Sequence, residues 1–373
     1  MRILQANFHT KWGGQAAVVF NLSRALARRG HEVTVAVPAD SNLARRAAEA
    51  GLEVFDKARF FARGFLIGII SDSRQIARLL RARQFDVVHT NGSKDGWAVT
   101  FAVRGTGVPV VTVRTRHNLK RIRRHPGNRW FYGAASDHVV AVSNAIKEHT
   151  VASGLCPEGK VTVIHPALDL DAFQPSTVLR EQFRRELRLA DDQFAIGTSA
   201  RLEVQKGIDL LLRGFQRVAR EEPRAVLVVA GYGKEAAALE ALARELGIAD
   251  RVRFCGFRSD MPAVLAGLDL FALTSRTEGF GVALVEAMAM SLPAVATRVG
   301  GVTDIVTDGV DGALVSHGDG DQLAAAILSL MRDPEARRRL GQAAFQRARS
   351  FTPEATAERH EALYRRLIEQ KKL

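Results

Sequence analysis

MRILQANFHTKWGGQAAVVFNLSRALARRGHEVTVAV, residues 1–37, decides how the chain is read. Met1 to Ala6 is a short apolar run that reads as a strand. A polar loop passes through Gly13-Gly14, after which Val18, Val19, Leu22 and Leu26 recur on one helical face until Gly30 closes the helix. His31 to Val37 reads as a second strand. Strand, helix and strand in that order make a βαβ unit, and a parallel, doubly wound sheet follows if the unit repeats.

It does repeat. Asp86 to His89, Val108 to Val113 and His138 to Val142 are further β-rich runs between helical patterns. The rhythm pauses around Val161 to Pro166, and a polar helix, Thr177 to Leu189, then leads into a second series. Its strands are Ala195 to Ser199, Ala225 to Ala230, Val252 to Cys255, Leu268 to Leu273 and Ala294 to Thr297. Two α/β, Rossmann-like domains are expected, with a linker near 166–176 and strand C-termini of both sheets turned to a central cleft. The last helix, Pro353 to Lys371, is amphipathic through Ala357, Leu363, Leu367 and Ile368.

Composition agrees with two domains. A chain of 373 residues, 47% hydrophobic and 7% aromatic, can bury two cores. Cys156 and Cys255 are the only cysteines, which excludes a disulfide framework and a clustered metal site and fits a reducing compartment. The start of the chain has no hydrophobic region of signal-peptide type, and the apolar stretch Phe60 to Ile70 contains Arg63 and is too short to span a membrane. A soluble or peripheral protein is expected. Charge is uneven: residues 1–170 hold 25 Lys+Arg against 12 Asp+Glu, and residues 171–373 hold 28 of each. The first half therefore expects an anionic partner.

Glu278-Gly279-Phe280-Gly281-Val282-Ala283-Leu284-Val285-Glu286 carries the sharpest chemical signal. Gly279 and Gly281 free the backbone, Val282 opens an apolar helix, and the unpaired N–H groups of a helix start suit a polyanion. The flanking carboxylates suit sugar and ribose hydroxyls. Glu278 alone reads most simply as a cap; Glu286 lies in a helix apolar nearly all round, where a carboxylate needs a partner.

Arg201-Leu202-Glu203-Val204-Gln205-Lys206-Gly207 follows the first strand of the second domain. Two cations five residues apart at a strand end can clamp a diphosphate, although solvated surface cations are their usual fate. Gly13-Gly14, and Gly231-Tyr232-Gly233 after the strand Ala225 to Ala230, are weak signals that most often mark turns. No G-x-G-x-x-G follows the first strand, so no dinucleotide fingerprint is present. His117 stands just after a β-rich run, where a lone histidine is more often structural than catalytic. Asp169-Leu170-Asp171 and Asp319-Gly320-Asp321 read as linker and turn.

Taken together, Gly13-Gly14, His117, Arg201…Lys206-Gly207 and Glu278-x7-Glu286 resemble glycosyltransferase family 4, retaining enzymes of the GT-B fold, of bacterial lipopolysaccharide or polysaccharide type. The resemblance spans essentially the whole chain. It implies an acceptor-binding domain of residues 1–168 joined by the returning helix 353–373, and a donor domain of 169–352. It implies that Arg201 and Lys206 bind a nucleotide diphosphate, Glu286 the ribose, and Glu278 with the backbone of Gly279, Phe280, Gly281 and Val282 the donor hexose. Gly13 and Gly14 would back the phosphates and His117 would lie beside the anomeric centre. Such enzymes use no cofactor and no active-site metal. His165-Pro166-Ala167-Leu168-Asp169 departs from the Asn-Gly-Val-Asp hinge common among members.

The expected donor is a nucleotide sugar, with uridine diphosphate favoured over guanosine diphosphate. The expected acceptor is a saccharide, free or lipid-linked. Arg59, Phe60, Phe61 and Arg63 with the following helix would meet an anionic membrane at the cytoplasmic face, or be an ordinary buried segment. Arg114, Arg116, Lys120, Arg121, Arg123 and Arg124, around His117, would hold an acceptor phosphate. A GT-B-fold epimerase is an alternative. A basic nucleic-acid-binding protein would explain the charge but neither the glutamates nor the clamp, and no nucleic-acid partner is expected.

Overall fold

The computed structural model describes residues 1–60 and 65–372; Phe61 and Arg63, named above as membrane-facing, lie outside the described residues. The chain forms two compact units, Met1–Asp169 with Phe351–Leu373 (unit 1) and Leu170–Ser350 (unit 2).

Unit 1 holds β1 (Arg2–Ala6), β2 (Glu32–Ala36), β3 (Glu53–Phe55), β4 (Val87–Thr90), β5 (Val111–Arg116), β6 (His138–Ala141) and β7 (Val161–Val163). They form one parallel sheet in the order β3-β2-β1-β4-β5-β6-β7. Side chains alternate between the two faces of a strand, and both faces here are covered. Ile3, Val33, Val35, Val87 and Val113 pack with Val19, Leu22 and Leu26 of the helix Gly14–Arg28. Leu4, Ala6, Ala36 and Val88 pack with Ile76, Leu80, Ala98 and Ala102 on the other face. The helix Pro353–Lys371 belongs to unit 1 because Ala357, Leu363, Tyr364 and Leu367 complete the first of these cores.

Unit 2 holds β8 (Phe194–Ser199), β9 (Ala225–Ala230), β10 (Val252–Gly256), β11 (Leu270–Leu273), β12 (Ala294–Thr297) and β13 (Ala313–Val315). The sheet is parallel, in the order β10-β9-β8-β11-β12-β13. Ile196, Leu227, Val229, Leu270 and Ala272 pack with Leu211, Phe215 and Val218 of the helix Ile208–Glu221 and with Leu323, Ile327 and Met331.

Several element boundaries differ from the sequence reading. The pause around Val161 is itself an edge strand, and β3 and β13 are edge strands of three residues, too short to show a period. The run Val108 to Val113 enters the sheet only at Val111, after Pro109, which has no N–H to give a ladder. Likewise β11 begins at Leu270, because Asp269 turns to accept from Arg180, Arg184 and the Ala195 N–H.

Each strand order reverses once, between β1 and β4 in unit 1 and between β8 and β11 in unit 2. Loops leaving adjacent strands in opposite directions open a crevice at such a point, where ligands of open α/β sheets bind. Among the described residues no helix is long and apolar enough to cross a membrane.

Candidate functional site

The two segments singled out in the second half of the chain leave the two strands of the unit 2 switch point. After β8, Val204–Lys206 makes one tight turn that Gly207 closes at φ +61 before the helix Ile208–Glu221. A Cβ on Gly207 would stand 2.0 Å from the Thr274 carbonyl oxygen, so only glycine permits that approach. Thr274 Oγ1 donates to the Gly207 carbonyl at 2.9 Å and the Arg276 N–H to the Gln205 carbonyl at 2.8 Å. The loops after β8 and β11 are thus tied together along their backbones.

This brings Lys206 and Glu278 into contact. Lys206 Nζ donates to Glu278 Oε2 at 2.6 Å, and Ser275 Oγ donates to the same oxygen at 3.0 Å. Both partners are mostly buried, at 20% and 12% side-chain exposure, so water screens the pair little. The Gly301 N–H donates to the Glu278 carbonyl at 3.0 Å, and a Cβ on Gly301 would fall 2.4 Å from the Gly279 carbonyl oxygen. Thr297 Oγ1 holds the Ser275 carbonyl at 2.7 Å.

Gly281, at φ +122, starts the helix Val282–Ala289, whose first turn has neither a side-chain cap nor an acidic residue. Its free N–H groups remain available to an anion. Phe280 turns its ring into the core at 4% exposure. Glu286 is half-buried one turn into the helix and makes no hydrogen bond or ion pair with any described residue; burial raises its carboxyl to about 7. Arg201 is 61% exposed and pairs with Glu203 at 2.8 Å. Gly231-Tyr232-Gly233 is a built turn: Cβ atoms on Gly231 and Gly233 would lie 1.8 Å from the Ala200 and 2.2 Å from the Leu202 carbonyl oxygens.

The unit 1 switch point is made differently. Gly13, in extended backbone, precedes the helix Gly14–Arg28, whose first turn again lacks a side-chain cap and an acidic residue. Asn7 Oδ1 accepts from the His9 N–H at 2.8 Å, and Gln15 Nε2 donates to the Asn91 carbonyl at 2.6 Å. His117, half-buried just past β5, has Nε2 at 3.3 Å from Asn91 Oδ1. Burial, then the neighbouring His9 and His360, lowers its pKa to about 3, so it is neutral near pH 7.

Three of the residues expected to meet an acceptor or a membrane are corrected. Arg114 is buried, its guanidinium 3.3 Å from the centroid of the Phe131 ring and donating to Ser136 Oγ and Thr100 Oγ1. Arg116 is buried and folds its own loop by donating to the Asn118 and Lys120 carbonyls at 3.0 and 2.9 Å. Both stand in a parallel sheet covered on both faces, so a strand arginine has no route to solvent. Phe60 is 2% exposed and packs with Ala58, Ile76 and Leu80, which removes it as a membrane anchor. Arg124 is exposed but ties the carbonyls of Ala152 and Ser153 at a helix C-terminus. Arg59, Lys120, Arg121 and Arg123 are exposed.

Sequence reasoning missed Asn91, Thr274, Ser275, Thr297 and Gly301. Each ends a strand or lies within four residues after one, at or beside a switch point, a signal that becomes readable only once the strand order is known.

Two family models match. One described as Glycosyl transferases group 1 covers residues 180–347, and one described as Glycosyltransferase Family 4 covers residues 12–172. The D-inositol 3-phosphate glycosyltransferase of Mycobacterium marinum is 32% identical, over 76% of this chain and 64% of that protein, so the chain spans less than two thirds of that relative. The protein of the same name from Xylanimonas cellulosilytica is 30% identical, over 91% of this chain and 88% of its own length. Among solved structures, Anabaena Alr3699/HepE in complex with UDP has a TM-score of 0.84 at 23% identity, covering 97% of this chain and 99% of that one. The sucrose-phosphate synthase of Thermosynechococcus elongatus has a TM-score of 0.82 at 22% identity, with 99% of each chain covered. These likenesses identify the fold as GT-B.

Proposed function

The chain belongs to the glycosyltransferases, with a family 4 first half and a group 1 second half, and we propose on that footing that it transfers a hexose from a nucleoside diphosphate sugar to a saccharide acceptor. The observation that carries this reading is the Lys206–Glu278 pair set beside an uncapped helix start at the unit 2 switch point. Lys206, with Arg201 and the N–H groups after Gly281, neutralises the diphosphate as it departs, the principal electrostatic demand of an oxocarbenium-like transition state. Glu286, without a partner among the described residues, accepts the ribose hydroxyls. Glu278 is engaged by Lys206 and Ser275, which fits a residue that orients the sugar and does not attack it.

Transfer is proposed to retain configuration. The acceptor hydroxyl oxygen bonds to the anomeric carbon from the leaving-group face as the bond to the diphosphate oxygen breaks, and the hydroxyl proton passes to that oxygen. His117 is assigned to the reacting sugar. No metal is required in this scheme, so turnover should survive chelation by EDTA.

UDP-sugars come first as donors, since Alr3699/HepE is described with UDP and with UDP-glucose. The acceptor is proposed to be a glycan or lipid-linked saccharide of cell-envelope polysaccharide or lipopolysaccharide synthesis. The relatives' name makes a phosphorylated inositol the competing acceptor, and the exposed Lys120, Arg121 and Arg123 could meet its phosphate. Thermal shift against a panel of nucleotide sugars, followed by assay of released nucleotide with each acceptor class, tests the reading. No stabilisation by any nucleotide sugar would end it. Sugar isomerisation without acceptor would instead indicate an epimerase.

A cytoplasmic, membrane-peripheral location is part of the proposal. Ile67, Ile70 and Phe101, at 69%, 51% and 44% exposure, sit on two helices of unit 1 that pack together, Phe65–Ala82 and Ser93–Thr106, and Phe101 meets Trp97 and Trp130. Apolar and aromatic side chains on the basic half suit an anionic leaflet. Flotation with anionic vesicles and not with neutral ones, at low salt, is the expected result.

A further inference from the structure

Asn91 belongs to none of the motifs from which the function was read, yet its amide fixes a proton elsewhere. Nδ2 lies 3.2 Å from the Ala6 carbonyl oxygen and 3.1 Å from Gln5 Oε1. A main-chain carbonyl can only accept, so the atom facing Ala6 must be the amide nitrogen and the orientation of Asn91 is settled by that contact. Oδ1 is thereby turned to the His117 ring, 3.3 Å from Nε2. A ring nitrogen facing a carbonyl-type oxygen must bear the hydrogen.

The same logic runs inward and closes without conflict. Gln5 Oε1 accepts from Asn91, so Gln5 Nε2 points to His89 Nδ1 at 3.4 Å and Tyr364 OH at 3.5 Å. His89 Nδ1 is then bare and accepts the Tyr364 hydroxyl at 2.6 Å, while His89 Nε2–H donates to Thr115 Oγ1 at 2.6 Å. Tyr364 is fully buried on the helix Pro353–Lys371, so the C-terminal helix anchors the far end of this chain of bonds.

We propose that Asn91 is a positioning residue that holds neutral His117 as its Nε2–H tautomer, leaving Nδ1 as a lone pair that accepts from a sugar hydroxyl. This inference rests on the glycosyltransferase reading given above. The groups that face His117 are Asn91 after β4, His9 in the loop after β1 and His360 on the C-terminal helix; no carboxylate is among the groups that act on its titration. Burial with these neighbours keeps the ring uncharged near neutrality. A neutral ring with Nε2 committed cannot serve as an acid to the departing diphosphate. It can receive a hydroxyl proton in a hydrogen bond and so orient the sugar that bears it.

The direct test is long-range 1H–15N correlation on the full-length chain labelled with 15N-histidine, His117 being assigned by His117→Gln. An Nε2–H pattern, unchanged from about pH 7.5 to about pH 5.5, is expected. An Nδ1–H pattern or an imidazolium in that range overturns the proposal, and this readout needs neither a variant of Asn91 nor transfer activity.

The kinetic test uses Asn91→Asp and Asn91→Leu. A carboxylate opposite Nε2 draws His117 protonation into the neutral range. Asn91→Asp should therefore acquire an acid limb, with kcat about tenfold lower near pH 6 than near pH 8 where the native profile is flat. Asn91→Leu frees the tautomer, and kcat should fall about tenfold with donor KM within about twofold of native. Native kcat and a native pH profile in both variants refute the proposal. If the native chain transfers no sugar from any donor, the functional reading fails, while the tautomer measurement still decides the assignment of Asn91.

Discussion

At the β8/β11 switch point Lys206 meets Glu278 at 2.6 Å and Arg201 meets Glu203 at 2.8 Å, whereas at the β1/β4 switch point the polar groups are Gln5, His89, Asn91, His117 and Tyr364, none of them in an ion pair. Unit 2 sets charge against charge, part of it in water. Unit 1 sets neutral side-chain donors against neutral side-chain acceptors in its buried interior, with the Asp95 carboxylate taking only the main-chain N–H groups of Asn91 and Gly92. The contrast follows the chemistry each would handle. A diphosphate carries charge that must be balanced, and a mobile cation already paired to a carboxylate can be shared with it at little rearrangement. A hydroxyl carries direction, and direction comes from a network in which every hydrogen has one place.

Five perturbations would break or sharpen that contrast. Lys206→Ala is expected to act most strongly: it removes the cation proposed to meet the diphosphate and leaves Glu278 with Ser275 alone, so kcat should fall about 10²–10³-fold with acceptor binding intact. Near-native turnover in a steady-state assay would remove the clamp from unit 2. Gly207→Ala should come next. Its Cβ meets the Thr274 carbonyl and its φ of +61 is strained for alanine, so chemical denaturation should show a loss of about 2 kcal/mol, with weakened nucleotide binding.

Glu286 provides a pH handle in unit 2. Burial holds its carboxyl up to about 7, and only the ionised form accepts from both ribose hydroxyls, so nucleotide affinity measured by calorimetry should strengthen as pH rises through that value. Glu286→Gln should remove this pH dependence and weaken binding about tenfold at high pH.

Unit 1 should respond to pH in the same sense, but through stability and in a lower range. His117 is held to about 3 and His138 and His360 to about 4, in each case chiefly by burial. Below the ordinary histidine value of about 6.5 the unfolded chain takes up protons that the folded chain refuses, so their contribution is lost progressively as pH falls from there toward those lower values. Asp95, pushed by burial to about 6, opposes this, while burial lowers His31 and His89 of unit 1 as well and adds to the loss. Scanning calorimetry between about pH 7 and pH 4.5 should show the melting of unit 1 falling ahead of that of unit 2. The smallest effect is expected from Arg201→Ala, about threefold in kcat/KM, because that side chain is exposed and already paired.

Much of this was legible in the residues. The βαβ rhythm from Met1 to Val37 and its recurrence carried the two parallel sheets, because period and punctuation are local properties of the chain. Lys206, Gly207, Glu278 and Gly281 were legible too, since their spacing after a strand or before a helix already restricts what they can do. The strand-borne arginines were misread. Arg114 and Arg116 looked like an acceptor clamp because cations usually face water, and only the layers over both faces of β5 decide otherwise. Phe60 was misread for the converse reason: an aromatic beside arginines looks interfacial until Ala58, Ile76 and Leu80 close over it.

The sequence by itself determined the family, the alternation of strands and helices, and the residue types able to hold a diphosphate sugar, all of which depend on neighbours a few positions apart. The tertiary structure decided the strand order, and with it that Gly207 must nest against Thr274, that Lys206 meets Glu278, and that Asn91 faces His117. Those pairs are 67, 72 and 26 residues apart in the chain, and hydrogen bonds over such separations are set by which strands lie side by side.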